Sequence, residues 1–418
     1  MMRFVSRALC AIVVLLSAGI ARAQLQDGDH VAIVGDSITE QKFYSTMIEA
    51  YLLACQPAAD LKTTQFGWGG EKASGFVNRI EDCLIFKPTV VTTCYGMNDG
   101  GYSALDDQRR NDYRRYQREI VQKFKAAGVR FIVVGSPGVV DSETWSRDDP
   151  DRDKVYNAAL AELRDIAREV AEEEGVAFAD VHSVMMDVMV KSKAKYGPAY
   201  PLGGRDGVHP PPAGHLVMAY AFLKALGVNG DIGTITVDLA AGKAEATDGH
   251  QVVAVDGNQV RLVSTRYPFC FSGNPEDPSA TSGVIEFFPF NEDLNRFRLV
   301  VTGAGDGDVR VTWGQTTKQF KAADLAKGIN LAEEFIDNPF SRPFLEVMQA
   351  ARRQQNAETE LIKQIMFSTR RAKQRLPERA AVLDEIRAEL VKAHEPVRAE
   401  TAATVKPVEH TIIIEPVK

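Results

Sequence analysis

Ser37, Asp206 and His209 are the residues whose types and spacing suit nucleophilic chemistry. Ser37 lies in Gly35-Asp36-Ser37-Ile38-Thr39, and the other two lie in Asp206-Gly207-Val208-His209-Pro210. A serine hydroxyl becomes a useful nucleophile when an imidazole takes its proton, and a carboxylate three residues away on a short loop can orient that imidazole. Two further segments offer N–H donors of the kind an oxyanion requires. Gln65-Phe66-Gly67-Trp68-Gly69-Gly70-Glu71 has clustered glycines that let the backbone approach a ligand. Tyr95-Gly96-Met97-Asn98-Asp99 carries a side-chain amide in Asn98. Each segment alone has an ordinary explanation: Ser37 as a helix cap, the glycines as a turn, Asn98 shaping its own turn, His209 as a surface or core histidine. Their combination and their order along the chain are what carry weight.

The elements around them are arranged to bring such residues to one edge. Short apolar runs at His30–Gly35, Asp60–Phe66, Thr89–Cys94, Val129–Val134 and Val176–Val181 suit strands covered on both faces. Between them, Tyr113, Tyr116, Ile120, Val121 and Phe124 recur at helical spacing, as do Val155, Ala159, Leu163, Ile166 and Val170. Pro211-Pro212 opens a further helix, with Leu216, Tyr220 and Leu223 on one face and Gly227 as its stop. Strands alternating with such helices predict a parallel sheet with helices on both sides. Ser37, the glycines and Asn98 then follow the first, second and third strands, at the C-terminal edge where such sheets place ligands.

With these four blocks in this order, residues 28–228 resemble the SGNH, or GDSL-type, hydrolase family. Gly-Asp-Ser-Ile-Thr, Gly-x-Asn-Asp and Asp-x-x-His-Pro match that family's blocks. The resemblance implies a three-layer α/β/α, flavodoxin-like domain and a serine ester hydrolase. It implies Ser37 as nucleophile, His209 as general base and Asp206 as the carboxylate that orients it. Ser37, Gly70 and Asn98 would form the oxyanion hole, with Gly69 or Gly67 as the donor if the loop is shifted. In the glycine block Gln65 stands where the family usually has Asn. No Gly-x-Ser-x-Gly elbow surrounds Ser37, which argues against an α/β-hydrolase. No metal or organic cofactor is called for. His215 reads as structural, and His182 sits near the active edge. Trp68 adjoins the glycine loop, the Asp99-Gly100-Gly101-Tyr102 loop is placed for substrate contact, and Asp36 reads as bonding local backbone.

Composition and the termini set further bounds. Arg3 and Arg7, an apolar run from Ala8 to Ile20 and Ala21-Arg22-Ala23 describe a signal peptide cut after Ala23, and hence a secreted or periplasmic protein with no stable membrane span after cleavage. Removing it takes away three of 49 basic residues and none of 56 acids, leaving a net charge of −10. An acidic chain without a basic cluster is a poor nucleic-acid binder. Cys55, Cys83, Cys94 and Cys270 contain no C-x-x-C pair, so a zinc or thioredoxin reading has little support; a Cys55–Cys83 bridge is left open, and Cys94 reads as a core thiol.

The expected organisation is a signal peptide over 1–23, the hydrolase domain over 24–229, a β-rich accessory region over 230–340, a charged helical region over 341–395 and an extended or disordered tail over 396–418. The β-rich region reads as a small antiparallel unit with strands at Thr234–Leu239, Gln251–Val255, Gln259–Ser264, Phe297–Thr302 and Val309–Trp313. Trp313 and Tyr267 are its single candidates for a glycan-stacking platform. On this reading, deleting 230–418 would weaken action on polymer and spare small esters. The substrate is a small-molecule or polysaccharide ester, with a carbohydrate O-acetyl ester favoured. A lipase-like or thioesterase-like acylhydrolase and a non-catalytic glycan-binding protein on a hydrolase fold are the rivals.

Overall fold

The computed structural model describes residues 25–141, 143–145, 151–274, 276–277 and 279–417. The segment read as a signal peptide lies outside the described residues. Among those residues no helix is long and apolar enough to cross a membrane.

Five strands, β1 (His30–Gly35), β2 (Lys62–Gln65), β3 (Val90–Cys94), β4 (Phe131–Gly135) and β5 (Ala177–Ala179), form a parallel sheet in the order β2-β1-β3-β4-β5. The three inner strands are buried along their whole length, which is why they read as apolar runs rather than alternating ones. Helices cover both faces. Asp107–Ala126 starts at Asp106, whose carboxylate accepts from the Arg109 N–H at 2.8 Å, and buries Tyr113, Ile120, Val121 and Phe124. Pro212–Ala225 begins with proline, whose missing N–H would have no partner in a first turn anyway. The chain leaves β1 for β2 on one side and reaches β3 on the other. The crevice at this reversal is where open α/β sheets bind ligands.

Beyond this domain the strands are β6 (Asp231–Asp238), β7 (Lys243–Ala246), β8 (His250–Asp256), β9 (Gln259–Ser264), β10 (Arg296–Thr302), β11 (Asp308–Trp313), β12 (Thr316–Lys321), β13 (Ile329–Asn330) and β14 (Val408–Pro416). They form two sheets, β13-β10-β6-β7 and β12-β11-β14-β9-β8. The unit is not purely antiparallel as expected, because β10 runs parallel to β6. A parallel pair needs a long crossover. Here residues 239–295, through β7, β8 and β9, supply it, and the last part bonds to the first domain through Tyr267 N–H to Ala54 O (2.7 Å) and Tyr51 Oη–H to Leu294 O (2.8 Å).

The C-terminal segments also depart from expectation. Residues 396–417 are neither a disordered nor a free extended tail. Glu395–Ala402 is helical, and β14 lies inside a sheet between β11 and β9, with Ile412 and Ile414 fully buried. Burying two isoleucines contributes about 3–6 kcal/mol, enough to pin a terminus whose Thr/Val/Pro composition looks like tail. The helix Ser341–Glu360 packs along the edge strand β2 and the helix Tyr44–Ala54, burying Gln354, Gln355 and Glu358. An edge strand covered in this way cannot template aggregation. Trp313 and Tyr267 are fully buried, so neither offers a face to a glycan. Cys55, Cys83, Cys94 and Cys270 are buried free thiols, and no Cys55–Cys83 bridge forms.

Candidate active site

Ser37 follows β1 directly. Asp36 caps the short helical turn Ser37–Glu40, its Oδ1 accepting from the Ile38 N–H at 3.0 Å. Ser37 opens that turn, so its own N–H has no partner within the helix. His209 arrives from the loop before the helix Pro212–Ala225, and its Nε2 lies 2.9 Å from Ser37 Oγ. Its Nδ1 lies 2.6 Å from Asp206 Oδ2. Asp206 Oδ1 accepts from the N–H groups of Val208 (3.0 Å) and His209 (2.9 Å), which folds the Asp-x-x-His loop back on itself. With Nδ1 bound to a carboxylate as donor, Nε2 is the lone-pair nitrogen and faces the serine hydroxyl. The structure thus brings Ser37, His209 and Asp206 into one hydrogen-bond chain at the sheet's C-terminal edge.

Asn98 comes from the loop after β3. Its Nδ2 donates to Glu71 O at 3.1 Å and lies 3.4 Å from Asp36 Oδ2, while its Oδ1 accepts from Tyr102 Oη at 3.1 Å. Tyr102 therefore decides which end of the amide faces the Ser37 turn. It does so from a left-handed backbone conformation (φ 57°), unusual for a tyrosine. The glycine loop follows β2. The Gly67 N–H donates to Gln65 Oε1 (3.0 Å), and the Gly69 N–H donates to Glu40 Oε2. A Cβ on Gly67 would lie 2.3 Å from Glu40 N, so this close pass beneath the nucleophile turn requires glycine. Gly70 sits at the exposed tip of the turn closed by Glu71 N–H to Trp68 O (3.1 Å), with φ +70°, a conformation glycine adopts without cost. With the Gly67 and Gly69 N–H groups already engaged, Gly70 is the glycine of this loop best able to offer a donor outward. Gln65, the departure from the family pattern, spans the gap: its Nε2 donates to Thr39 O at 2.8 Å while its Oε1 holds Gly67.

Burial pushes the Asp36 carboxyl up to about 7, with Asp99 and Glu71 adding like-charge repulsion. Burial also raises Asp99, to about 6. A carboxyl that takes up a proton near neutrality adds less negative charge beside a developing oxyanion. Asp206 behaves oppositely. Burial raises its carboxyl, but hydrogen bonds from the His209 and Val208 N–H groups outweigh that and hold it below the usual range. His215 and His182 are buried and tied to local partners: His215 Nε2 meets Gln41 Oε1 (2.8 Å), and His182 Nδ1 meets Gly138 O (2.9 Å). Burial drives His215 down to about 3. Among the described residues no group of three or more His, Cys, Asp or Glu is arranged to hold a metal ion.

Several supporting residues are not evident in the sequence. Glu71 is buried, with both oxygens on Arg79 (2.6 Å each), and accepts from Tyr95 Oη (2.7 Å); Arg79 also donates to Phe66 O (2.7 Å). This cluster anchors the glycine loop from below. Trp68 is half-buried, packed between Arg79 and Phe367. Only chain tracing puts Phe367 beside it, since nearly 300 residues separate the two. Trp145 packs on Tyr102 and Tyr156 at the far side.

Residues 33–217 match the GDSL-like lipase/acylhydrolase family. Among solved structures, a gut microbial diltiazem-metabolizing enzyme is 23% identical with a TM-score of 0.72, covering 96% of this chain and 100% of its own. The acetylxylan esterase of Geobacillus stearothermophilus is 22% identical with a TM-score of 0.41, covering 49% of this chain and 96% of its own. An alpha/beta hydrolase enzyme from the metagenome of Lake Arreo, Spain, is 26% identical with a TM-score of 0.40, covering 49% and 97%. The first likeness extends the shared fold through the C-terminal half. No curated protein matches the chain.

Proposed function

Residues 33–217 belong to the GDSL-like lipase/acylhydrolase family and the chain is a carboxylic ester hydrolase; from this premise we infer that it works through an acyl-enzyme on Ser37 and removes short acyl groups, O-acetyl above all, from carbohydrate. The observation that carries the mechanism is the hydrogen-bond chain Ser37 Oγ, His209 and Asp206. His209 Nε2 takes the hydroxyl proton as Ser37 Oγ attacks the ester carbonyl. Asp206 holds the imidazole tautomer and stabilises the imidazolium. The N–H groups of Ser37 and Gly70 and the Asn98 amide receive the oxyanion. His209 then returns the proton to the leaving alcohol, and water, activated by the same imidazole, releases the acid.

An O-acetyl ester of a saccharide fits the surroundings of this chain. Asp206, Gly69 and Gly70 are exposed, and Ser37, Asn98 and His209 are only partly covered. A bulky hydrated alcohol can stay in solvent while a small acyl group enters. The N-terminal segment supports export, where acylated polysaccharide is met.

The test is hydrolysis of nitrophenyl acetate, butyrate and octanoate, and of acetylated xylo-oligosaccharide, by the protein and by Ser37→Ala. Acetate release that vanishes in the variant is expected. A preference for octanoate would overturn the short-acyl assignment in favour of a lipase-like enzyme. Equal rates from both proteins would remove Ser37 as nucleophile. Binding of the oligosaccharide with no turnover by the folded protein would point to a glycan-binding role.

A further inference from the structure

The helical region that follows the β-rich unit reaches the catalytic edge at two points one helical stretch apart. Glu358, fully buried near the end of Ser341–Glu360, accepts from the Gln65 N–H at 2.8 Å, where β2 enters the glycine loop. The rod then passes through a π-helical turn, Leu361–Met366, before continuing as Phe367–Arg375. Such turns inside α-helices are frequent at functional sites. Lys363 lies in this one. Its Nζ donates to Glu40 Oε1 and sits 4.7 Å from the centre of the Trp68 ring. Glu40 is the last residue of the nucleophile turn, and its other oxygen receives the Gly69 N–H. Lys363 and Glu40 are each about one-quarter exposed, 26% and 25%, so water screens their attraction only in part.

We propose that Lys363 is a positioning residue of the oxyanion hole, acting through Glu40 on the Gly69 N–H to hold the Trp68–Gly69 peptide, and through it the following peptide, so that the Gly70 N–H points at the ester. The inference rests on the reading of Ser37 as nucleophile and Gly70 as an oxyanion donor. Two adjacent glycines make this turn tip the softest part of the loop. Its base is fixed by the buried Glu71–Arg79 pair, while the tip is held by Glu40. Without a cation on its far oxygen, Glu40 is free to turn toward solvent. With the Trp68–Gly69 peptide released, the next peptide, between the two glycines, can rotate and aim a carbonyl where the Gly70 N–H belongs. The helical region is thus part of the catalytic framework, though it lies outside the segment that matches the family.

The test compares Lys363→Met, Lys363→Arg and Glu40→Gln with the parent on nitrophenyl acetate, with melting temperatures alongside. Methionine keeps the packing on Trp68 and removes the charge together with its hydrogen bond to Glu40. Lys363→Met is expected to lower kcat about tenfold with KM nearly unchanged, a fraction of the loss from deleting a donor outright. Lys363→Arg should recover most of it. Glu40→Gln should resemble Lys363→Met, and the double variant should be no worse than either single one. A parent-like kcat for Lys363→Met, with Ser37→Ala inactive, overturns this proposal and leaves the serine mechanism standing. An active Ser37→Ala overturns the mechanism itself. A loss in Lys363→Met that arginine fails to restore, or that tracks a fall in melting temperature, shows a merely structural contact and also overturns the proposal.

Discussion

Replacing Asn98 by alanine tests the oxyanion assignment most directly, and the structure sets its size. Asn98 Nδ2 carries two hydrogens. One is committed to Glu71 O at 3.1 Å, and the other has only the long 3.4 Å approach to Asp36 Oδ2, so it is available to a developing oxyanion. Losing one preorganised donor costs ~2.7–4 kcal/mol of transition-state stabilisation, or roughly 10²–10³ in kcat. KM should change little, because the bond is made chiefly to the tetrahedral species. Tyr102→Phe supplies the graded control. It removes the hydrogen bond that orients the amide, a neutral contact of about 1 kcal/mol, and should lower kcat roughly fivefold. In the Asn98→Ala background the same change should cost nothing further, since there is no amide left to orient. Steady-state kinetics on nitrophenyl acetate for the four proteins, with melting temperatures, complete the cycle. A kcat for Asn98→Ala within threefold of the parent, or additive losses in the double variant, would refute the reasoning.

Other expectations follow from the same contacts. Asp206→Asn should lower kcat by several orders of magnitude, as expected when a histidine loses the carboxylate that sets its tautomer; a parent-like rate would remove Asp206 from the reaction. Deleting residues 405–418 takes β14 out of the middle of its sheet and should abolish cooperative unfolding, as read by circular dichroism on heating. Deleting 230–418 should abolish hydrolysis of small esters as well as polymer, because the edge strand β2 and the helix Tyr44–Ala54 lose the buried cover of Ser341–Glu360; a soluble truncated protein with parent-like kcat would contradict this. Burial, with the Glu358 carboxylate adding to it, raises Glu49 from 4.5 to about 8. Its folded-state acidity is thus weaker than in the unfolded chain, so stability is lost as pH rises from about 4.5 to about 8, by up to ~1.4 kcal/mol per pH unit. Glu49→Gln lacks this loss. Its advantage in denaturant titrations should widen across that window and level off above it, whereas a constant difference would show an ordinary carboxyl.

Much of the catalytic edge was legible in the sequence because its chemistry is local. The Asp-x-x-His loop closes through hydrogen bonds spanning two and three residues. Ser37 sits beside its own cap, and each block follows a strand that is apolar because both faces are covered. A parallel sheet then carries all the strand ends to one edge, so residues far apart in the chain converge without any signal of their own. The same logic explains why the sequence places the strands of the second half but not their direction or the fate of the C-terminal segment. Whether β10 runs parallel or antiparallel to β6 depends on how residues 265–295 cross the first domain, which no turn signal encodes. The end of the chain has the composition of a tail, and it becomes a central strand only because β9 and β11 leave a vacant place between them. The helices from 341 onward are densely charged in the sequence, yet Gln354, Gln355 and Glu358 are buried, their polar atoms satisfied across the β2 edge and by the helix Tyr44–Ala54. The sequence by itself determined which residues are candidates, Ser37, Asp206 and His209, and the sheet that gathers them, because those follow from residue type, spacing and strand periodicity. Only the tertiary structure decided which amide faces the serine, what holds the Gly69–Gly70 turn and that the C-terminal helices support it, because those depend on contacts between segments some 300 residues apart.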